Sequence, residues 1–96
     1  MALSERQKKH LRRLGHELRP VVMVGDAGAA EGVIRECDLA LEHHELVKAK
    51  VRGADRTERD AIIDQLAGAT GAEVVQRIGN VALLYRRHPD QPRIVV

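Results

Sequence analysis

The chain has 96 residues, 44% hydrophobic and 31% charged, with a formal net charge of +2 at neutral pH. That describes one domain with a single modest core, too apolar for a disordered tail and too short for two domains. No apolar run approaches a membrane span, the first residues lack the apolar core of a signal peptide, and the lone Cys37 cannot close an internal disulfide, so a cytoplasmic protein without membrane contact is expected.

"SERQ" at Ser4 to Gln7 has the form of a capping box, in which Gln7 answers the cap from three positions on. It opens a helix expected from Glu5 to about Gly15. Gln7, Leu11, Leu14 and Leu18 fall on one side of it; Arg6, Lys9 and Arg13 line another, with Lys8 and Arg12 beside them. Pro20 marks extended chain, and the continuous run "VVMV" at Val21 to Val24 predicts a strand covered on both faces. After a glycine loop, Val33, Ile34, Cys37, Ala40 and Leu41 recur at helical spacing to about His43, with acids on the outer side. "ELVKAKVRG" alternates, sending Val47, Ala49 and Val51 to one face and Lys48, Lys50 and Arg52 to the other. Asp55 with Glu58 predicts the cap of a third helix, with Ile62, Ile63, Leu66, Ala67 and Ala69 inward and a glycine stop in "TGA". "EVVQRI" and "VALLYRR", joined by Gly79-Asn80, read as a hairpin. The tail "HPDQPRIVV", residues 88–96, carries two prolines and is expected to be partly mobile.

The order α-β-α-β-α-β-β predicts a two-layer α/β fold with a four-stranded mixed sheet. Strands joined through helices should run parallel with right-handed crossovers. Both crossover helices then cover one sheet face, and the first helix covers the other with its cations outward, near the alternating lysines. Charge is distributed unevenly. Residues 1–20 hold six Lys/Arg against two acids, residues 21–47 one Arg against six acids, and residues 48–60 five Lys/Arg against three. A polyanion partner on one side fits that pattern. With no Phe, no Trp and only Tyr85, nucleic acid would be held through phosphates and shape rather than by stacking on aromatic side chains.

The stretches "LSERQKKHLRRLGHELRPVVMVG", "ALEHHELVKAKV" and "TGAEVVQRIGNVALLYRR" resemble the CRM (chloroplast RNA splicing and ribosome maturation) domain, in its bacterial single-domain YhbY-type form. The resemblance spans Leu3 to Arg87, so a single domain is expected over residues 1–87. It implies a fold like the C-terminal domain of translation initiation factor three plus an N-terminal helix. It also implies RNA binding, on ribosomal RNA of a precursor large subunit, with no catalysis. A monomer without a cofactor is expected. The family's Gly-x-x-Gly loop maps onto Gly25, Asp26, Ala27 and Gly28, where Asp26 stands in place of the lysine or neutral polar residue of relatives and Ala30 in place of a threonine.

The candidate RNA-binding residues are therefore Gly25, Asp26, Ala27 and Gly28 in the loop; Arg6, Lys8, Lys9, Arg12 and Arg13 on the first helix; and Lys48, Lys50 and Arg52 on the second strand. Glycines let a nucleic-acid backbone approach, and the following helix offers N–H groups and a partial positive charge. Asp26 could turn aside to cap that helix. Each feature also has a plain structural reading: a strand-to-helix turn for the loop, a solvated face for the helix, and edge-strand protection for the lysines. Adjacent His43 and His44 lack the spacing of a metal pair and suit a helix C-terminus; Cys37 is expected to be a buried thiol. The competing function is an adaptor whose acidic helix, Glu31 to Glu42, binds a basic ribosomal protein.

Overall fold

Ser4 starts the first helix through both arms of its box: its Oγ accepts the Gln7 N–H at 3.1 Å, and Gln7 Oε1 accepts the Ser4 N–H at 2.9 Å. A computed structural model of the chain describes residues 3–53 and 55–96; the first two residues of the expected domain, and residue 54, lie outside the described residues. Helices α1 (Glu5–Gly15), α2 (Glu31–His44) and α3 (Arg56–Thr70) alternate with strands β1 (Pro20–Val24) and β2 (Leu46–Val51), and the chain closes with β3 (Glu73–Ile78) and β4 (Val81–Tyr85). The remaining punctuation behaves as its residue types require. Asp55 Oδ1 accepts the Glu58 N–H at 2.8 Å to open α3, and Gly71 closes that helix at φ 75°. Gly79 takes φ 58° at the first position of the two-residue turn between β3 and β4, while Asn80 has no positive φ, which is the II′ form of hairpin.

The four strands run in the order β1-β2-β4-β3. β1 and β2 pair in parallel across the α2 crossover, whereas β4 pairs antiparallel with both β2 and β3. The hairpin return thus inserts β4 between β2 and β3, which keep a common direction without touching. Helices α2 and α3 share one sheet face, as the crossover argument requires. There Val22, Val24, Cys37, Leu41, Val47, Ala49, Leu66 and Leu84 form the main core. Each fully buried leucine of this kind is worth roughly 2 kcal/mol of transferred apolar surface. On the opposite face α1 covers a second cluster of Leu11, Leu46, Val75, Leu83 and Tyr85.

The sequence-based expectations need four corrections. "VVMV" is not covered on both faces: Val22 and Val24 are buried, but Val21 and Met23 are 48% and 58% exposed. The reason is that α1 lies across β2, β4 and β3 and leaves the β1 edge of that face open. For the same reason α1 packs through Leu11 and Gly15, with Leu14 and Leu18 at the margin and exposed. A Cβ on Gly15 would sit 2.7 Å from Leu83 Cδ2, so the glycine sets how closely helix and sheet approach. Ala69 faces outward, and Thr70 takes the inward place, its hydroxyl donating to the Leu66 carbonyl at 2.9 Å.

The fourth correction concerns the tail. Glu45, the residue after α2, is 1% exposed and takes φ 61°. Its Oε1 accepts the backbone N–H groups of Arg93 and Ile94 at 2.6 and 2.9 Å, and its Oε2 accepts that of His88 at 2.9 Å. Ile94 and Val96 then pack against the second core. A buried carboxylate needs such donors, and the tail backbone supplies all three; the prolines shape a strap that is tied down.

Candidate nucleic-acid interface

The lysine row of β2 lies at the centre of the open face. Ala49, Val47 and Val51 point into the main core as the alternation requires, so Lys48 and Lys50 project toward the α1 side. β2 has β1 on one side and β4 on the other, so edge-strand protection cannot account for its lysines. Lys48 is half-buried beside α1, and Lys50 is exposed. Directly beside Lys50 in the ladders lie Met23 on β1 and Val81 on β4, with Ile78 beyond.

Between the second half of α1 and the sheet runs a cleft of about 820 Å³. Lys9, Arg12, Arg13 and His16 descend into it from the helix, Lys48 comes from the sheet, and Glu17 is the one carboxylate in its lining. Gln76, Ile78, Val81 and Leu83 make the sheet side. A second concavity of about 460 Å³ lies at the far end of β2, where Lys50 and Arg52 meet Gly25, Met23 and Asn80. Lys48 and Lys50 are two residues apart on one strand face, roughly 7 Å at strand rise, and so bridge the two hollows.

The glycine loop forms a turn, with the Gly28 N–H donating to the Gly25 carbonyl at 3.0 Å. Gly28 needs its lack of a side chain, at φ 67°. Gly25 does not: its φ is ordinary, and a Cβ there would meet nothing within 4 Å. Asp26 does not cap α2. The cap residue is Ala30, with no side-chain hydrogen bond, because two further residues separate the turn from the helix. Asp26 Oδ1 instead sits 3.9 Å from Arg52 Nε, both side chains being largely exposed. The loop aspartate therefore partly offsets one of the cations counted toward the site.

Not every candidate cation reaches the clefts. Arg6 lies on the other flank of α1, in a groove with His10, Val95 and Val96, and Lys8 is half-buried with its ammonium 4.0 Å from Glu5. Lys9, Arg12, Arg13, Lys48 and Lys50 have no ion-pair partner among the described residues. The opposite layer is arranged differently. Arg86 donates to Asp38, to Glu42 at 3.5 Å and to the Thr70 carbonyl at 2.8 Å, which clamps α2 and α3 to the end of β4. His88 Nδ1 accepts two backbone N–H groups, and its Nε2 lies 3.1 Å from Glu42. Arg77 pairs with Asp60 and Asp64 of α3; those bonds raise its pKa. These acids of the helical layer are thus paired with cations, whereas the cations around the α1 cleft have no such partner among the described residues.

Two other titrating groups, Cys37 and Tyr85, are buried in the two cores. Burial pushes the Cys37 thiol up to about 11, leaving a neutral thiol. Burial also raises the Tyr85 hydroxyl, with a contribution from the Glu45 charge. Among the described residues no group of three His, Cys, Asp or Glu side chains could hold a metal ion, and no helix is long and apolar enough to cross a membrane. Gln76, Ile78 and His16 line the cleft although no local pattern marks them. Strict alternation in "EVVQRI" places Gln76 on the other side of the sheet from Val75, and an irregularity in the strand was needed to bring both to the α1 face.

Three helices on a four-stranded mixed sheet, with a basic helix crossing an otherwise open face, define a small α/β domain built to present cations around a cleft. The chain belongs to the CRS1/YhbY (CRM) domain family, whose model matches residues 3–86. It is 50% identical over 84 residues to an RNA-binding protein of Haemophilus influenzae, covering 88% of this chain and 85% of that one. It is 44% identical over 89 residues to a "Probable RNA-binding protein" of Pseudomonas aeruginosa, covering 93% and 86%. The solution structure of a Staphylococcus aureus protein, described as a candidate RNA binder, superposes with a TM-score of 0.80 at 34% identity over 90% of each chain. The family resemblance and the α/β architecture expected from the sequence both hold.

Proposed function

We propose that this protein binds structured ribosomal RNA in the cytoplasm and assists assembly of the large ribosomal subunit, acting without catalysis. The observation that carries the RNA part is the gathering of Lys9, Arg12, Arg13, Lys48 and Lys50, none with a carboxylate partner among the described residues, around two neighbouring hollows on one sheet face. Like charges so arranged repel one another and are relieved when an anion lies over them. The names of the relatives agree with this reading. The ribosomal destination rests on the family resemblance alone. The loop Gly25, Asp26, Ala27 and Gly28 would position the RNA backbone at the rim, with Arg52 released from Asp26 to a phosphate. Arg6 and Lys8 would contribute from the flank of α1.

The adaptor reading has less support, since Asp38 and Glu42 of the acidic helix already face Arg86, and Glu31 lies 3.4 Å from Arg35. Crosslinking in cells followed by sequencing of the attached RNA tests the proposal. Enrichment of precursor large-subunit RNA is the expected result; recovery of no RNA, or of unrelated RNA in proportion to abundance, would refute it.

A further inference from the structure

A site for double-helical phosphate needs cations alone, yet the cleft under α1 combines cations with an apolar floor. Ile78 is 64% exposed in it, beside half-buried Val81 and the wall made by Leu83. Ile78 and Val81 are cross-strand neighbours, so their side chains form one small apolar platform that a flat apolar face can cover. The rim chemistry supplied by Lys9, Arg12, Arg13 and Lys48 suits phosphate, and Glu17 on the same rim opposes it. Apolar floor and cationic rim together match the two parts of a nucleotide.

The backbone of β3 adds an independent observation. Its register pairs Val74 with Leu84 and then Gln76 with Leu83, so Val75 is an extra residue opposite no partner. Val75 stays buried under α1, and Gln76 follows it onto the same face instead of alternating away. Such bulges interrupt a ladder and re-aim a side chain. Here the re-aimed group is a primary amide, able to donate and accept at a base edge, set at the side of an apolar floor. The same shift carries Arg77 to the acids of α3.

We infer that this cleft seats one unpaired nucleotide extruded from an otherwise helical RNA, its base on Ile78 and Val81, its edge at Gln76 and its phosphates on the α1 rim. The inference rests on the RNA-binding reading and narrows it: the volume of about 820 Å³ is ample for a nucleotide, and a base freed from its stack has a face to lay on Ile78 and Val81 that a stacked base does not.

The test uses the full chain and two blunt-ended RNA duplexes that differ by a single bulged 2-aminopurine nucleotide. The bulged duplex should bind about tenfold tighter, the order expected for covering one base face with two aliphatic side chains, and its 2-aminopurine fluorescence should change on binding. Gln76→Ala and Ile78→Ser, both at surface-reachable positions, should erase that preference, so that each variant binds the bulged and the uninterrupted duplex equally. Equal binding of both duplexes by the unaltered protein would overturn the nucleotide seat and leave RNA binding intact, as would a preference that survives both substitutions. Binding of neither duplex at low salt would overturn the RNA reading together with it.

Discussion

Gly25 and Gly28 stand three residues apart and make opposite demands. Gly28 has φ 67°, a conformation that costs an L-residue about 1–2 kcal/mol, so Gly28→Ala should lower the melting temperature. Gly25 has open space where a Cβ would go, so Gly25→Ala should leave the melting temperature unchanged and weaken RNA binding if a phosphate approaches that atom. Calorimetry and anisotropy on the same samples separate the two effects; an unchanged affinity would remove Gly25 from the contact. Glu45 makes a different kind of residue-scale prediction. Burial favours its neutral form, but the N–H groups of His88, Arg93 and Ile94 outweigh that, and its pKa falls below the ordinary carboxylate value. The unfolded carboxyl therefore takes up a proton before the folded one does. The stability gained from it is whole above the usual carboxylate range and is lost as pH drops through that range. Glu45→Gln should melt earlier than the unaltered protein at neutral pH, with the gap closing in acid; a gap independent of pH would show that the charge is immaterial. Nothing in "HHELVK" announces this role, because the three donors come from 43 to 49 residues away.

At the scale of elements, β2 is where legibility was greatest. Alternation alone predicted which side chains enter the core, and Val47, Ala49 and Val51 do. What alternation could not reveal is that β2 is an internal strand, since hydrogen bonding to β4 is decided by a hairpin thirty residues on. That placement turns the lysines from edge guards into the centre of a face. Joint reversal of Lys48 and Lys50 to glutamate should weaken RNA binding and flatten its salt dependence by about 2 in slope, with little change in melting temperature. Retained affinity would exclude the row. For α1, the capping box and basic face were plain in "SERQKKHLRR", but its packing side was misjudged. Leu14 and Leu18 have the right period, yet Gly15 lies against Leu83 because contact distance with a sheet favours the smallest residue. A Gly15→Ala substitution should cost about 1 kcal/mol by displacing the buried Leu83 side chain, read from denaturant unfolding.

For the molecule as a whole, net charge is a poor guide and its partition a good one. At +2 the chain is nearly neutral, but the helical layer pairs Asp38, Glu42, Asp60 and Asp64 with Arg86 and Arg77, while the cations of the α1 cleft have no such partners among the described residues. If about five cations reach phosphates, log affinity should fall against log salt with a slope of roughly −3.5 to −4.5, and a slope near zero would end the electrostatic account. Element order, caps, turns and the inward face of β2 were determined by local chemistry, which acts between residues close in the chain and leaves its mark on composition and period. The insertion of β4, the open half of the α1 face, the bulge that re-aims Gln76 and the anchoring of the tail on Glu45 were decided by tertiary structure. Each depends on contacts between segments distant in sequence, where no local period records which surface will be left uncovered.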